Sequence, residues 1–439
     1  MEIAIIGGGL MGMTLAYLLS EHGQHVTVLE QGSTPGGLHN SVELDGFSIA
    51  RFQHHIFPGD AQTFKLIKQL GLQDAILFRS AHTGFLHNGA AHPVNTIRDF
   101  LTFAPLRLRD RLRLGQTIMQ ARLTTNWQML DQIPAKDWLI RVGGQQNFER
   151  FWAPLLEAKF DCQYADVPAT FVWSWLNRVS MLHRSAPFSP SVAYLRGGPG
   201  TLIQAMSNAI TARGSEILTG TRVREIELCG DQVGQVRTST GIIDCDVVIA
   251  SVPTPEFSRL LLSADEHYLD SLDAIPYLGL ICPAVILNRP LSDYWTLSVT
   301  DPTSPFSSIV EMPYPDDPRY RVVYLPKYTA PENDWMGVPD ETIREAWLMR
   351  LRQIYPSLDS EHIEHFVISR SRYLDPVPVI KAGARVPAVK TPYQSLYLAN
   401  TSQIYPDVPN DESVIAHAQR VARQIMTQGE RHLTAQPAA

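Results

Sequence analysis

Six residues near the start of the chain, Gly7-Gly8-Gly9-Leu10-Met11-Gly12, have the types and spacing to grip a pyrophosphate. They follow an apolar strand-like run, Glu2 to Gly7, and open a run with helical spacing, Leu10 to His22, the setting that gives G-x-G-x-x-G its meaning. Gly7 permits the tight turn, Gly9 lets backbone N–H groups approach the phosphates, and Gly12 lets the helix pack closely on the sheet. Glu30 closes the next alternating segment, His25 to Glu30, eighteen residues beyond Gly12. A carboxylate there accepts hydrogen bonds from ribose hydroxyls and disfavours a 2′-phosphate. A glycine-rich turn with no ligand would need none of this register, so a dinucleotide is the expected occupant.

The chain continues with Pro35-Gly36-Gly37-Leu38-His39-Asn40-Ser41 and then Gly46-Phe47. This whole opening resembles the flavin-dependent amine oxidase superfamily, which also holds protoporphyrinogen oxidases, phytoene desaturases and UDP-galactopyranose mutases. The resemblance implies FAD, with Gly36, Gly37 and Leu38 running along its diphosphate and ribityl chain. Thr34 and Leu38 stand where arginines usually flank the glycine pair. Thr219-Gly220-Thr221-Arg222-Val223 is similar to the strand whose valine backbone meets the adenine, which implies that role for Val223. Asp246 to Ala250, followed by Pro253, is similar to the strand that precedes the crossing into the substrate domain. Leu396 to Asn400 with Ser413-Val414 resembles the closing flavin motif, so Asn400 and Val414 are implied cofactor contacts.

A bacterial subgroup of FAD-dependent, protoporphyrinogen-oxidase-like proteins is resembled more particularly, through Phe52-Gln53-His54-His55-Ile56-Phe57, Trp138-Leu139, Lys159-Phe160 and Ile404-Tyr405-Pro406. That subgroup implies a cofactor without a substrate. After Pro406 the chain departs from it, with Asp407-Val408-Pro409-Asn410-Asp411 in place of a basic, glycine-containing turn.

A flavin takes a hydride or its equivalent, and the protein orients the substrate and tunes charge near the ring. Arg51, His54 and His55 lie on a segment that the resemblance places close to the isoalloxazine, and a histidine titrates in the range useful for handling a proton. A hydrogen-bonded structural histidine is the plainer reading, and residue types do not choose between His54 and His55. Lys159 matches the subgroup pattern and is a candidate to face the substrate. Trp152, Phe171, Trp173 and Trp175 suit either cavity walls or, the preferred reading for most of them, core packing. Arg107, Arg109, Arg111 and Arg113 alternate with leucines after Phe100 to Pro105. This segment suits an anionic membrane surface, although a solvated helical face is preferred.

The elements that must position these residues divide the chain of 439 residues into cooperating domains. The expectation is an α/β protein with a Rossmann-like FAD-binding domain of the glutathione-reductase kind, built from residues 1–95, 190–265 and 385–428. An interleaved α+β substrate domain takes 96–189, mostly helical, and 266–384, mostly strands, with 429–439 as a mobile tail. Asp60 is the expected cap of a helix over Gln62 to Leu70. A net charge of −7 argues against nucleic acid as a partner. The start of the chain, already strand-like with no basic lead, suggests a cytoplasmic protein, with peripheral membrane contact open. Cys162, Cys229, Cys245 and Cys282 lack metal-ligand spacing and read as reduced, mostly buried thiols.

Three functions follow in order: an FAD-dependent oxidoreductase acting on an amine, isoprenoid or tetrapyrrole, a UDP-galactopyranose mutase-like isomerase, and a non-enzymatic binder on the same fold.

Overall fold

The computed structural model describes residues 1–161, 163–183, 190–315 and 317–434. Its first sheet is parallel and five-stranded, in the order Leu396–Leu398, Val247–Ala250, Glu2–Ile6, His25–Leu29, Glu216–Leu218. The central strands are buried on both faces, which explains their near-continuous apolar character. The helices Leu10–Glu21, Gly200–Ala212 and Asp411–Thr434 pack on one side, joined through Leu15, Met206 and Ile415. Strand order reverses beside Glu2–Ile6, so the glycine turn opens at the topological switch point where open α/β sheets bind ligands.

The second sheet is mixed and eight-stranded, centred on Tyr277–Leu287, in which every residue is buried. Ile363–Pro376 pairs along this strand's length, a partner the sequence reading left unassigned. Between residues 97 and 180 the expected helical insert is present as several short helices, among them Leu108–Leu123, Ala153–Phe160 and Ala169–Ser180. Their apolar sides form a core with Phe85 and Leu278 of the sheet.

Four expectations change. The hairpin Thr83–His87 and Ala90–Pro93, placed by sequence with the nucleotide-binding segment, hydrogen-bonds into the second sheet beside Thr296–Val299. The last helix runs to Thr434, past the point at 429 where a tail was expected, and residues 435–439 lie outside the described ones. Of the thiols, Cys282 is buried, but Cys245 is half-buried and Cys229 exposed, while Cys162 lies outside the described residues.

Asp60 sits at the N-cap position of the helix Ala61–Gln69, yet its side chain makes no cap bond. It accepts from the Phe57 N–H at 2.7 Å and pairs with Arg178. The open N–H groups of Gln62 and Thr63 donate instead to Glu412, at 3.0 and 2.8 Å. A helix end is thus capped by a carboxylate 350 residues away, which no local pattern reveals.

Candidate active site

The turn after Glu2–Ile6 leaves the first helix without a side-chain cap, because Gly9 is its N-cap residue. The helix's first N–H groups therefore lack a side-chain acceptor there, the arrangement that receives an anion. A Cβ on Gly9 would meet nothing within 4 Å, so the space over this helix end is open. A Cβ on Gly12 would lie 2.0 Å from the Gly7 carbonyl oxygen, and only glycine allows the helix to approach so closely. Glu30 accepts from the N–H groups of Gly8 and Gly32, each at 2.7 Å, one on each carboxylate oxygen. Each oxygen keeps a lone pair for a further donor.

The second glycine pair is tied to the first by the Gly36 N–H, which donates to the Gly8 carbonyl at 2.7 Å. Gly36 adopts φ +138, and a Cβ there would fall 2.1 Å from Asn40 Oδ1. From these turns a cavity of about 1210 Å³ extends into the space between the second sheet and the helical insert. Gly7, Gly9, Glu30, Gly37, Leu38, Asn400 and Val414 border one part of it. Arg51, His54, His55 and Lys159 also border it, so the structure brings all four proposed reactive residues to one cavity. Gly12 and Gly36 shape the turns from behind. The Val223 side chain packs in the core with Ile6 and Phe257. Asn400 is committed locally: its side chain accepts from the Ser402 N–H at 3.0 Å and donates to the Val252 carbonyl at 2.8 Å.

The two adjacent histidines differ in how readily they hold a proton. His55 stacks on Phe57 at 4.9 Å and meets the edge of Trp295 at 5.0 Å. Its Nδ1 is buried with no hydrogen-bond partner. Burial, with the charge of Arg178 behind it, pushes its pKa down to about 3, so this ring is neutral. His54 places Nε2 3.0 Å from the Leu38 carbonyl oxygen and Nδ1 3.6 Å from Asp411 Oδ1. Burial opposes its charge, but the nearby Asp411 carboxylate raises its pKa above the ordinary value.

Lys159 donates to Asp375 Oδ2 at 2.9 Å, with Nζ 3.9 Å from the Tyr328 ring centre. Burial works against its charge, yet Asp375 outweighs it and raises the pKa, so Lys159 remains an ammonium. Trp152 lies in the buried core of the insert, and Phe171, Trp173 and Trp175 are half-buried and pack against it. All but Trp173 also border the cavity, so core and wall are the same residues here. Sequence reasoning assigned no role to His39, Asp411, Arg178, Asp375 or Tyr328. Their partners lie far away along the chain, and the one available signal was the departure after Pro406 that ends at Asp411.

An uncapped helix end at a switch point, a doubly bonded carboxylate on the neighbouring strand, and a second glycine pair stapled to the first define a dinucleotide-binding α/β protein. The chain belongs to the flavin containing amine oxidoreductase family, whose model matches residues 10–426. It is 24% identical over 392 residues to the 15-cis-phytoene desaturase of Synechococcus elongatus, covering 81% of this chain and 80% of the relative. The fold is similar to that of an oxidoreductase from Methanosarcina mazei, with TM-score 0.75 and 20% identity over 96% of this chain and 100% of that one. It is also similar to a reduced UDP-galactopyranose mutase, with TM-score 0.75 and 17% identity over 97% and 96% of the two chains.

The protein is therefore a flavin-dependent oxidoreductase whose cofactor is FAD. The non-enzymatic binder falls away with that membership. The open space above Gly9 and the spare acceptor capacity of Glu30 fit the cofactor.

Proposed function

We propose that this enzyme desaturates an elongated apolar molecule of the isoprenoid polyene class, taken up from a lipid surface. The observation that carries the reading is the cavity, which runs from the glycine turns to the aromatic walls Phe151, Trp152 and Phe171 of the helical insert. Such walls exclude water and bind a hydrocarbon by burial, at roughly 25 cal/mol per Å² of apolar surface. The similarity to a phytoene desaturase supports the same substrate class.

FAD supplies the acceptor for the hydride. In this reading Gly7 makes the tight turn, its own N–H donating to the Leu29 carbonyl at 2.9 Å, Gly9 leaves the N–H groups of the helix end open to the diphosphate, and Glu30 accepts from a ribose. Gly12 and Gly36 keep the turns closed, Gly37 and Leu38 follow the ribityl chain, Val223 meets the adenine through its backbone, and Asn400 and Val414 lie toward the ring. Arg51, His54 and His55 surround the reacting end. His55, whose protonation burial and the Arg178 charge oppose, stays a neutral ring there. Lys159, held protonated by Asp375, is an electrostatic anchor and not a base. The cofactor-binding domain takes the parallel sheet from the three segments expected, without the hairpin at 83–93, and the substrate domain takes the rest.

No helix among the described residues is long and apolar enough to cross a membrane. The surface beside the cavity nevertheless suits contact with one. On the helix Leu108–Leu123, Leu108, Leu112, Met119 and Leu123 are 62%, 60%, 55% and 73% exposed and share one stripe. Arg107, Arg109, Arg113 and Arg122 are exposed around it, a positive rim that complements anionic headgroups. Ile118 and Arg122 of the same helix border the cavity. The exposed leucines turn the reading from a merely solvated face to a lipid-docking one.

Anaerobic mixing of the holoenzyme with linear polyenes in liposomes, or with amines, tests the substrate class through bleaching of the flavin band. Bleaching by the polyenes supports the reading, and bleaching by amines alone removes it.

A further inference from the structure

Both ring nitrogens of His54 face oxygen acceptors, the Leu38 carbonyl on one side and the Asp411 carboxylate on the other. Only the doubly protonated imidazolium offers a proton to each. The same Asp411 oxygen lies 3.1 Å from His39 Nε2, and the two imidazole rings are 4.0 Å apart, centre to centre. Two imidazolium ions in such contact would repel, so the two rings hold one proton between them against one carboxylate. The desolvation of His39 and its repulsion by His54 lower its pKa, in agreement.

The place of this cluster matters as much as its chemistry. His39 ends the second glycine turn, His54 sits on the segment 51–57, and Asp411 is the first residue of the last helix. All three border the large cavity, and all three also border a second cavity of about 70 Å³ on their other side. That volume is large enough to admit water, which would give the buried pair a route for proton exchange.

We propose that His54 and Asp411, flanked by His39, form a charge-compensated pair on the wall of the flavin cavity that couples FAD retention and the flavin's reduction potential to pH. With the proton present the cluster is neutral. When His54 loses it, Asp411 is left as an uncompensated buried carboxylate beside a site that must hold the cofactor's diphosphate and the negative charge of the reduced flavin. Both are then disfavoured. Of the other charged or titratable groups nearby, His55 is neutral, Arg178 is paired with Asp60 and acts by its charge on His55, and Arg51 borders the same cavity as a fixed cation. The proposal concerns the cofactor alone and stands whether or not the substrate is a polyene.

The test is the midpoint potential of the bound flavin, measured by dye equilibration on the holoenzyme without substrate from roughly pH 5 to roughly pH 10. Beyond the flavin's own proton coupling, the wild type gains an added downward inflection on the alkaline side of an ordinary histidine, accompanied by weaker FAD binding. Asp411→Asn removes that inflection. The double variant His39→Gln/His54→Gln leaves a lone carboxylate, shows no inflection, and binds FAD roughly tenfold more weakly at neutral pH. A wild type without the inflection, or an Asp411→Asn protein that keeps it, overturns the proposal. Should Asp411→Asn fail to fold, the wild-type profile and the double variant still decide.

Discussion

The cofactor half and the substrate half of the cavity hold their polar groups in opposite ways. Around the glycine turns the donors are backbone, N–H groups at an uncapped helix end, and the one acidic side chain, Glu30, is itself fixed by the Gly8 and Gly32 amides. Across the cavity, polarity comes from side chains paired over long stretches of sequence, such as Lys159 with Asp375 and Arg178 with Asp60. Backbone donors suit a ligand that never changes, since a turn cannot be retuned by one substitution. Side-chain pairs set into apolar walls suit a substrate site, where one exchange alters shape or charge and leaves the turn intact.

The largest effect that would sharpen this contrast comes from Arg178→Met. It leaves Asp60 buried and unpaired, and denaturant unfolding should show a loss of about 3–5 kcal/mol. Gly12→Ala comes next. Its methyl has no space beside the Gly7 carbonyl, so overpacking of about 1–3 kcal/mol should appear together with loss of flavin from the purified protein. Lys159→Met should do the reverse, leaving FAD content unchanged while lowering stability by about 1–3 kcal/mol through the stranded Asp375 and altering substrate KM. Loss of FAD in Lys159→Met would break the division between the halves.

The His54–Asp411 pair predicts a smaller, pH-dependent effect. The raised pKa of His54 contributes stability that is full below the ordinary histidine value of 6.5 and is lost as pH rises through the folded value. The depressed pKa of Asp411, where burial is outweighed by His39 and His54, contributes stability present above the ordinary 3.8 and lost as pH falls through the folded value. The wild type should therefore exceed Asp411→Asn in thermal stability most in the window between, and the gap should close on both sides. The smallest effect on the fold belongs to the surface: Arg107→Glu/Arg109→Glu should leave stability within about 0.5 kcal/mol while reducing co-sedimentation with anionic liposomes.

What the sequence disclosed follows the same division. The G-x-G-x-x-G turn, Glu30 and the strands around them were legible because each role depends on neighbours within about thirty residues, where period and spacing carry the information. Arg51, His54, His55 and Lys159 were named and do reach one cavity, but the difference between His54, with its raised pKa, and a neutral His55 depends on Asp411 and Arg178, hundreds of residues or a domain away. Asp60 shows the limit well. Its residue type and position announce a helix cap, yet a buried arginine claims the carboxylate and Glu412 caps the helix instead. The hairpin at 83–93 has ordinary strand patterning, and only its partner Thr296–Val299 reveals the sheet to which it belongs.

The proposed substrate is an apolar polyene held between the second sheet and the helical insert. Anaerobic reduction of the holoenzyme by a linear polyene presented in anionic liposomes tests this directly. The account predicts bleaching of the flavin band that slows when Trp152 is replaced by a polar residue and persists at unchanged FAD content. A flavin that stays oxidised with every polyene while an amine bleaches it would contradict the account.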